Sequence, residues 1–184
     1  MTNLETLRYP IGKFQRLTAP PDATARAGSI ATIEAAPAII RRMATGLTDA
    51  QLDTAYRPGG WTIRQVIHHL PDSHVNAYVR MKLAVTEETP AVKGYDEARW
   101  AELPEARTGA IAMSLDLLDA LHRRWVAFLR PLPAAAFAKA FSHPEWKHIT
   151  IDESIAMYAW HCRHHTAHIA LGLESERSAA ARQP

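Results

Sequence analysis

Seven of the ten histidines in this 184-residue chain fall in two short clusters, IHHLPDSH at 67–74 and WHCRHHTAH at 160–168. Both lie in stretches that read as helix, and imidazole is the commonest metal ligand in proteins. Two helices so far apart in sequence can serve one ion only if the fold sets them face to face, as the core of a helical bundle does. The clusters therefore point to an all-α bundle holding a metal.

The rest of the chain reads in the same terms. The first twenty residues carry Pro10, Gly12, Pro20 and Pro21, which suits an extended arm over 1–20 better than a helix. From Asp22 to about Met43, Ile30, Ile33, Ala36, Ile40 and Met43 recur at helical spacing, giving a first helix bent near Pro37. Thr48 with Gln51 forms a capping box for a short turn, and Thr62 with Gln65 a second box, so helix two starts at Ile63 and runs to about Thr86. Pro71 within it removes a backbone donor and predicts a bend beside the histidines. Residues 87–108 contain Pro90, Gly94 and Pro104 and read as a long crossover with one short helical turn. Helix three, Ala110 to Leu129, shows one apolar stripe ended by Pro131 and Pro133. Thr150 with Glu153 makes a third box before helix four, which is expected to end near Gly172. The domain then spans 21–175, and 176–184 has the small, polar composition of a frayed tail.

Several functions are excluded or disfavoured. Lys and Arg number 21 against 19 Asp and Glu, a net charge of +2, which gives no electrostatic case for nucleic acid or a membrane surface. The N-terminus lacks the order of a signal peptide and no apolar run approaches the roughly 20 residues that span a bilayer, so a cytoplasmic location and a small-molecule substrate are expected. A single cysteine, Cys162, rules out an internal disulfide and a multi-cysteine zinc site, and it reads as a small buried apolar residue. Trp61, Trp125 and Trp160 read as core and boundary aromatics.

Ligand geometry from sequence is ambiguous. On helix four His164 and His168 are four residues apart, about 40° around the axis and roughly 6 Å along it, a good two-ligand element. His161 and His165 have the same spacing, His161 and His164 pair at three, and the apolar residues there do not define an inward face. On helix two His68 and His74 lie about 100° and 140° from His69 around the axis, so at most one of the three is a ligand. Asp72 or Ser73, Asn76 and Arg80 share the His69 face, where polar groups are costly unless they serve something. His122, His143 and His148 read as surface or hydrogen-bonded core residues.

The segments AYRPGGWTIRQVIHHLPDSHVNAYVRMKLAVTEETPAVKGYDEARWAEL, LHRRWVAFLRPL and WHCRHHTAHI, with a weaker match at YPIGKF, resemble the YfiT branch of the DinB/YfiT superfamily of bacterial metal-binding proteins. The resemblance implies a four-helix bundle with a crossover connection, a homodimer, and one divalent metal, zinc or nickel, held by three histidines. Carried over by motif, the ligands are His69, His164 and His168. Pro71 departs from the branch's usual HHLADSH and leaves the aim of Asp72 open.

Three imidazoles leave an ion its full charge and an open coordination position, the pattern of catalytic zinc sites. The resemblance implies a metal-dependent hydrolase. The residue after His164 is a histidine rather than the glutamate base of H-E-x-x-H, so Asp72, the candidate catalytic residue, or a histidine behind the ligands would have to act as base. The alternative is a metal-dependent thiol S-transferase joining bacillithiol, mycothiol or glutathione to an electrophile. In that reading the low-molecular-weight thiol needs no separate base, and Asn76 and Arg80 could grip its carboxylate. A third reading is a non-catalytic metal-binding stress-response module whose ion ties helix two to helix four.

Overall fold

The computed structural model describes residues 3–180, with side chains described to residue 177. Its order is α1 (Leu4–Arg8), α2 (Ala23–Ala44), α3 (Asp49–Leu52), α4 (Ile63–Thr86), α5 (Glu97–Trp100), α6 (Pro104–Thr108), α7 (Ala112–Leu129), a 3-10 turn (Ala134–Ala138), β1 (Ala140–His143), β2 (Lys147–Thr150) and α8 (Ile151–Ala180). Helices α2, α4, α7 and α8 form the four-helix bundle. Each packs chiefly on two of the others: α2 and α4 both contact α7 and α8. Helices α2 and α4, which follow one another in the bundle's chain order, therefore stand at diagonal corners, as do α7 and α8. The crossovers are therefore 45–62 and 130–150, whereas 87–108, which the sequence leads one to expect as the crossover, lies in the connection between the neighbours α4 and α7.

Local signals place the helix starts. The Asp22 side chain accepts from Ala25 N at 2.8 Å, and both capping boxes at Thr48/Gln51 and Thr62/Gln65 form completely. At Thr150 only half of the box forms: the hydroxyl accepts from Glu153 N at 3.1 Å, while the Glu153 carboxylate turns to Arg16 Nη2 at 2.9 Å. That pair ties the N-terminal segment to the bundle. Ile33, Ile40, Ile67, Leu70, Met81, Leu118, Trp125, Leu129, Ile155 and Ile169 are among the buried side chains that fill the space between the helices, the apolar burial that drives folding.

Three further sequence expectations need correction. The arm is not wholly extended, because Asn3 caps a short helix at Leu4–Arg8. A β-hairpin pairing Ala140 with Thr150 and His143 with Lys147 stands between helices three and four, where the sequence leads one to expect no element. Its apolar residues alternate too briefly to signal strands, with Phe141 and Ile149 inward. Helix α4, by contrast, runs from Ile63 to Thr86 with Pro71 inside it, the bounds expected from the sequence. Helix α8 does not stop at Gly172. A Cβ there would come within 2.7 Å of Ile63 Cγ1, so this glycine permits close helix approach rather than capping. The tail expected at 176–184 is thus helical to Ala180, and 181–184 lie outside the described residues.

Candidate metal centre

Between α4, α8 and the N-terminal segment lies a cavity of about 580 Å³. Its floor is imidazole: His69 from α4, and His161, His164, His165 and His168 from α8. One ring nitrogen from each of His69, His161 and His165 lies within 4.8 Å of the other two, and His69 Nε2 stands 3.3 Å from His161 Nε2. The structure thus brings together His69 with the 161/165 pair, and not with the 164/168 pair to which the resemblance led. Both pairs have the spacing of one helical turn, so the choice depends on how α8 is rotated about its axis against α4.

The two histidines outside the triple are otherwise engaged. His168 donates from Nε2 to Arg8 O at 3.2 Å, its Nδ1 meets His165 Nδ1 at 3.3 Å, and its ring stacks on Tyr56 at 3.9 Å. His164 stacks on Trp160 at 4.3 Å. His164 Nδ1 and Arg57 Nε are the buried side-chain polar atoms without a hydrogen-bond partner among the described residues, and both residues line the cavity. Buried polar groups are nearly always paired, so two such atoms at one cavity make it the candidate binding site.

Burial sets the protonation. It lowers His69 and His168 to about 4 and His164 to about 3, helped at His168 by the Arg57 guanidinium and at His69 and His164 by the repulsion a second protonated ring of the cluster would meet, and holds His161 and His165 well below the ordinary value. The rings are neutral at physiological pH, the form that ligates metal. A cluster of neutral nitrogen donors, with no carboxylate or thiol among them, suits a borderline divalent ion such as zinc or nickel, so the residues present fit the metal that the sequence implies. Behind the triple, His74 Nε2 meets His161 Nδ1 at 3.0 Å, His74 Nδ1 meets His122 Nε2 at 2.6 Å, and His122 donates from Nδ1 to Ile33 O at 2.6 Å.

The other candidates divide. Arg80, 9% exposed, lines the cavity and donates to Lys93 O at 2.7 Å, with no carboxylate partner among the described residues. Asn76 is turned back on its own helix, donating to Asp72 O at 2.8 Å, and is not among the lining residues. Asp72 does not line the cavity either. Its neighbour Ser73 does, and consecutive helical residues project about 100° apart. Asp72 shares instead the face of His68, four residues back, and burial with nearby Glu105 raises it to about 6. His68 bonds Ser114 Oγ at 2.7 Å and Gly109 O at 3.2 Å, away from the triple. His143 lines the cavity, which its isolation in the sequence did not signal. Cys162 is buried and its thiol is pushed up to about 12, as suits an inert core residue.

The sequence profile of the DinB superfamily matches residues 32–169. The protein named "Putative metal-dependent hydrolase YfiT" from Bacillus subtilis is 46% identical over 167 residues, covering 89% of this chain and 92% of its own. A protein of the same designation from Oceanobacillus iheyensis is 48% identical over 162 residues, covering 88% and 93%. The solved structure of YfiT, described as a probable metal-dependent hydrolase with an unusual four-helix bundle topology, superposes with a TM-score of 0.89 over 95% of this chain and 98% of that one, at 44% identity. No helix among the described residues is long and apolar enough to cross a membrane.

Proposed function

The chain belongs to the DinB superfamily, in its YfiT branch, and on that premise we propose that it is a metal-dependent hydrolase of a small molecule, with one divalent ion, zinc or nickel, held by His69, His161 and His165. The observation that carries this is the convergence of three neutral ring nitrogens within 4.8 Å at the floor of an aromatic-walled cavity. A bound ion would act there as a Lewis acid toward a carbonyl or similar group.

The chain's own residues do the rest. Trp61 packs against His69 with ring centres 4.8 Å apart, and Tyr56 covers His168, so aromatic surface surrounds the donors and keeps water few. Arg80, buried and without a carboxylate partner among the described residues, would bind an anionic group of the substrate through charge-assisted hydrogen bonds. His164 Nδ1 and Arg57 Nε would take polar atoms of the same molecule. Asp72 is withdrawn as the base, since it faces another surface. Glu97 and Glu145 are the carboxylates that line the cavity, and the general base would come from them.

That displacement of Asp72 favours a second reading, a metal-dependent thiol S-transferase, whose thiol nucleophile needs no carboxylate base from the protein. A homodimer fits either reading: Trp100 and Leu103 are 40% and 45% exposed in the 91–108 connection, where apolar residues would suit a second copy. A panel of small esters and amides, assayed with zinc-loaded and chelator-stripped protein and then with added thiols, tests the choice. Hydrolysis that is lost on stripping and restored by zinc supports the hydrolase. Consumption of an electrophile only when a thiol is present replaces it by the transferase, and no turnover in either format favours a non-catalytic metal site.

A further inference from the structure

We propose that two one-way hydrogen-bond chains, each anchored on a backbone carbonyl, hold His161 and His165 as Nδ1–H tautomers with their Nε2 lone pairs free for the ion. His74, His122 and His168 are then positioning residues of the metal centre. The inference rests on the ligand set proposed above.

A count of protons settles the direction of each chain. In the first, Ile33 O, His122, His74 and His161 make three successive contacts of 2.6, 2.6 and 3.0 Å. A carbonyl only accepts, so His122 Nδ1 carries a proton toward it. A neutral imidazole has one proton, which leaves His122 Nε2 as an acceptor. His74 must then donate from Nδ1 and accept at Nε2, and His161 must donate from Nδ1. Three rings supply three protons for three contacts, and the remaining nitrogen, His161 Nε2, is bare. That atom faces His69 Nε2.

The second chain follows the same arithmetic with two rings. His168 donates from Nε2 to Arg8 O, so its Nδ1 accepts from His165 Nδ1 at 3.3 Å, and His165 Nε2 is left bare. Outer partners of this kind fix the tautomer and ring orientation of metal-ligating histidines. Here the partners are themselves histidines, which explains why the clusters contain more imidazoles than one ion can use. Neither chain reads as a route for protons. The first ends at Ile33 O, a carbonyl that accepts but cannot pass on a proton, beside His122, which is 1% exposed. The second ends on Arg8, the last residue of α1, so the docked N-terminal segment is part of the metal centre.

Nitrogen-15 NMR of histidine-labelled, metal-free protein reads the tautomers without any substitution. Protonated Nδ1 and bare Nε2 on both His161 and His165 are expected, and a protonated Nε2 in a neutral ring at either position would overturn the assignment. Zinc affinity, measured by competition with a chromophoric chelator, is expected to fall about 10–100-fold in His74→Phe and in His168→Phe. His74→Gln, which can accept through Oε1 and donate through Nε2, should stay within about threefold of wild type. Equal loss in His74→Gln and His74→Phe, or no loss in His74→Phe, would refute a role through hydrogen bonding. If wild-type protein takes up no zinc, the ligand reading fails, while the NMR experiment still decides the tautomers on its own.

Discussion

Helix α4 presents two faces that treat buried polar groups in opposite ways. On the face toward α6 and the start of α7, every such group is matched: Arg64 bonds Asp53, Asp49 and Gly109 O at 2.7, 2.7 and 2.9 Å, Gln65 donates to Ala101 O at 2.8 Å, and His68 holds Ser114 and Gly109. On the face toward α8, His69 points at another imidazole and Arg80 has no carboxylate partner among the described residues. Since a buried charge or polar group without a partner is costly, the first face is explained by folding alone. The second fits the ligand-binding role proposed above. Adjacent residues His68 and His69 thus have different jobs because 100° of helix rotation separates a finished interface from an open one.

The sharpest test of this contrast substitutes those neighbours in turn. His69→Ala should lower metal content from one ion per chain to less than about a tenth of one, whereas His68→Ala should keep full content and cost about 1 kcal/mol of stability for its lost hydrogen bonds; metal analysis and chemical denaturation read both. Next comes the arginine pair. Arg64→Met should destabilise by about 2 kcal/mol, since it removes packing and three bonds from a matched site. Arg80→Met should be neutral or stabilising by up to about 1 kcal/mol in the ligand-free protein, and should weaken the binding of carboxylate-bearing compounds relative to their neutral analogues. Equal destabilisation by the two arginine changes would erase the contrast.

The smallest effect concerns Asp72, which lies toward the matched face with a value raised to about 6 by burial and by Glu105. Its folded value exceeds the unfolded one of about 3.9. Between about pH 4 and 6 the folded protein therefore holds a proton that the unfolded chain has released, and this group's contribution makes stability rise as pH falls through 6. Asp72→Asn should flatten that dependence by less than about 1 kcal/mol, because the group is only half-buried and screened by solvent. Denaturation at pH 5 and pH 8 compares the two proteins.

Much of this was legible beforehand. The starts of α3, α4 and α8 follow from Thr48, Thr62 and Thr150, because capping is a local interaction that sequence records directly. The pairing of His69 with histidines of α8 was legible too, from clustering and resemblance. What stayed hidden depended on rotation about a helix axis and on long-range contacts. Nothing local separates His161 and His165 from His164 and His168, and neither the anchoring of His168 on Arg8 nor the partnership of His74 with His122 leaves a mark in the sequence. Asp72 was misread because its offset of three from His69 was counted as one face, whereas Ser73, at four, is the neighbour that reaches the cavity.

The central claim is that the ion belongs to His69, His161 and His165, and metal content measured side by side in His161→Ala and His168→Ala tests it most directly. Loss of the ion in His161→Ala, with near-stoichiometric but weaker binding in His168→Ala, is the predicted result. Retention in His161→Ala with loss in His168→Ala would contradict it and return the site to the ligand set first inferred by resemblance.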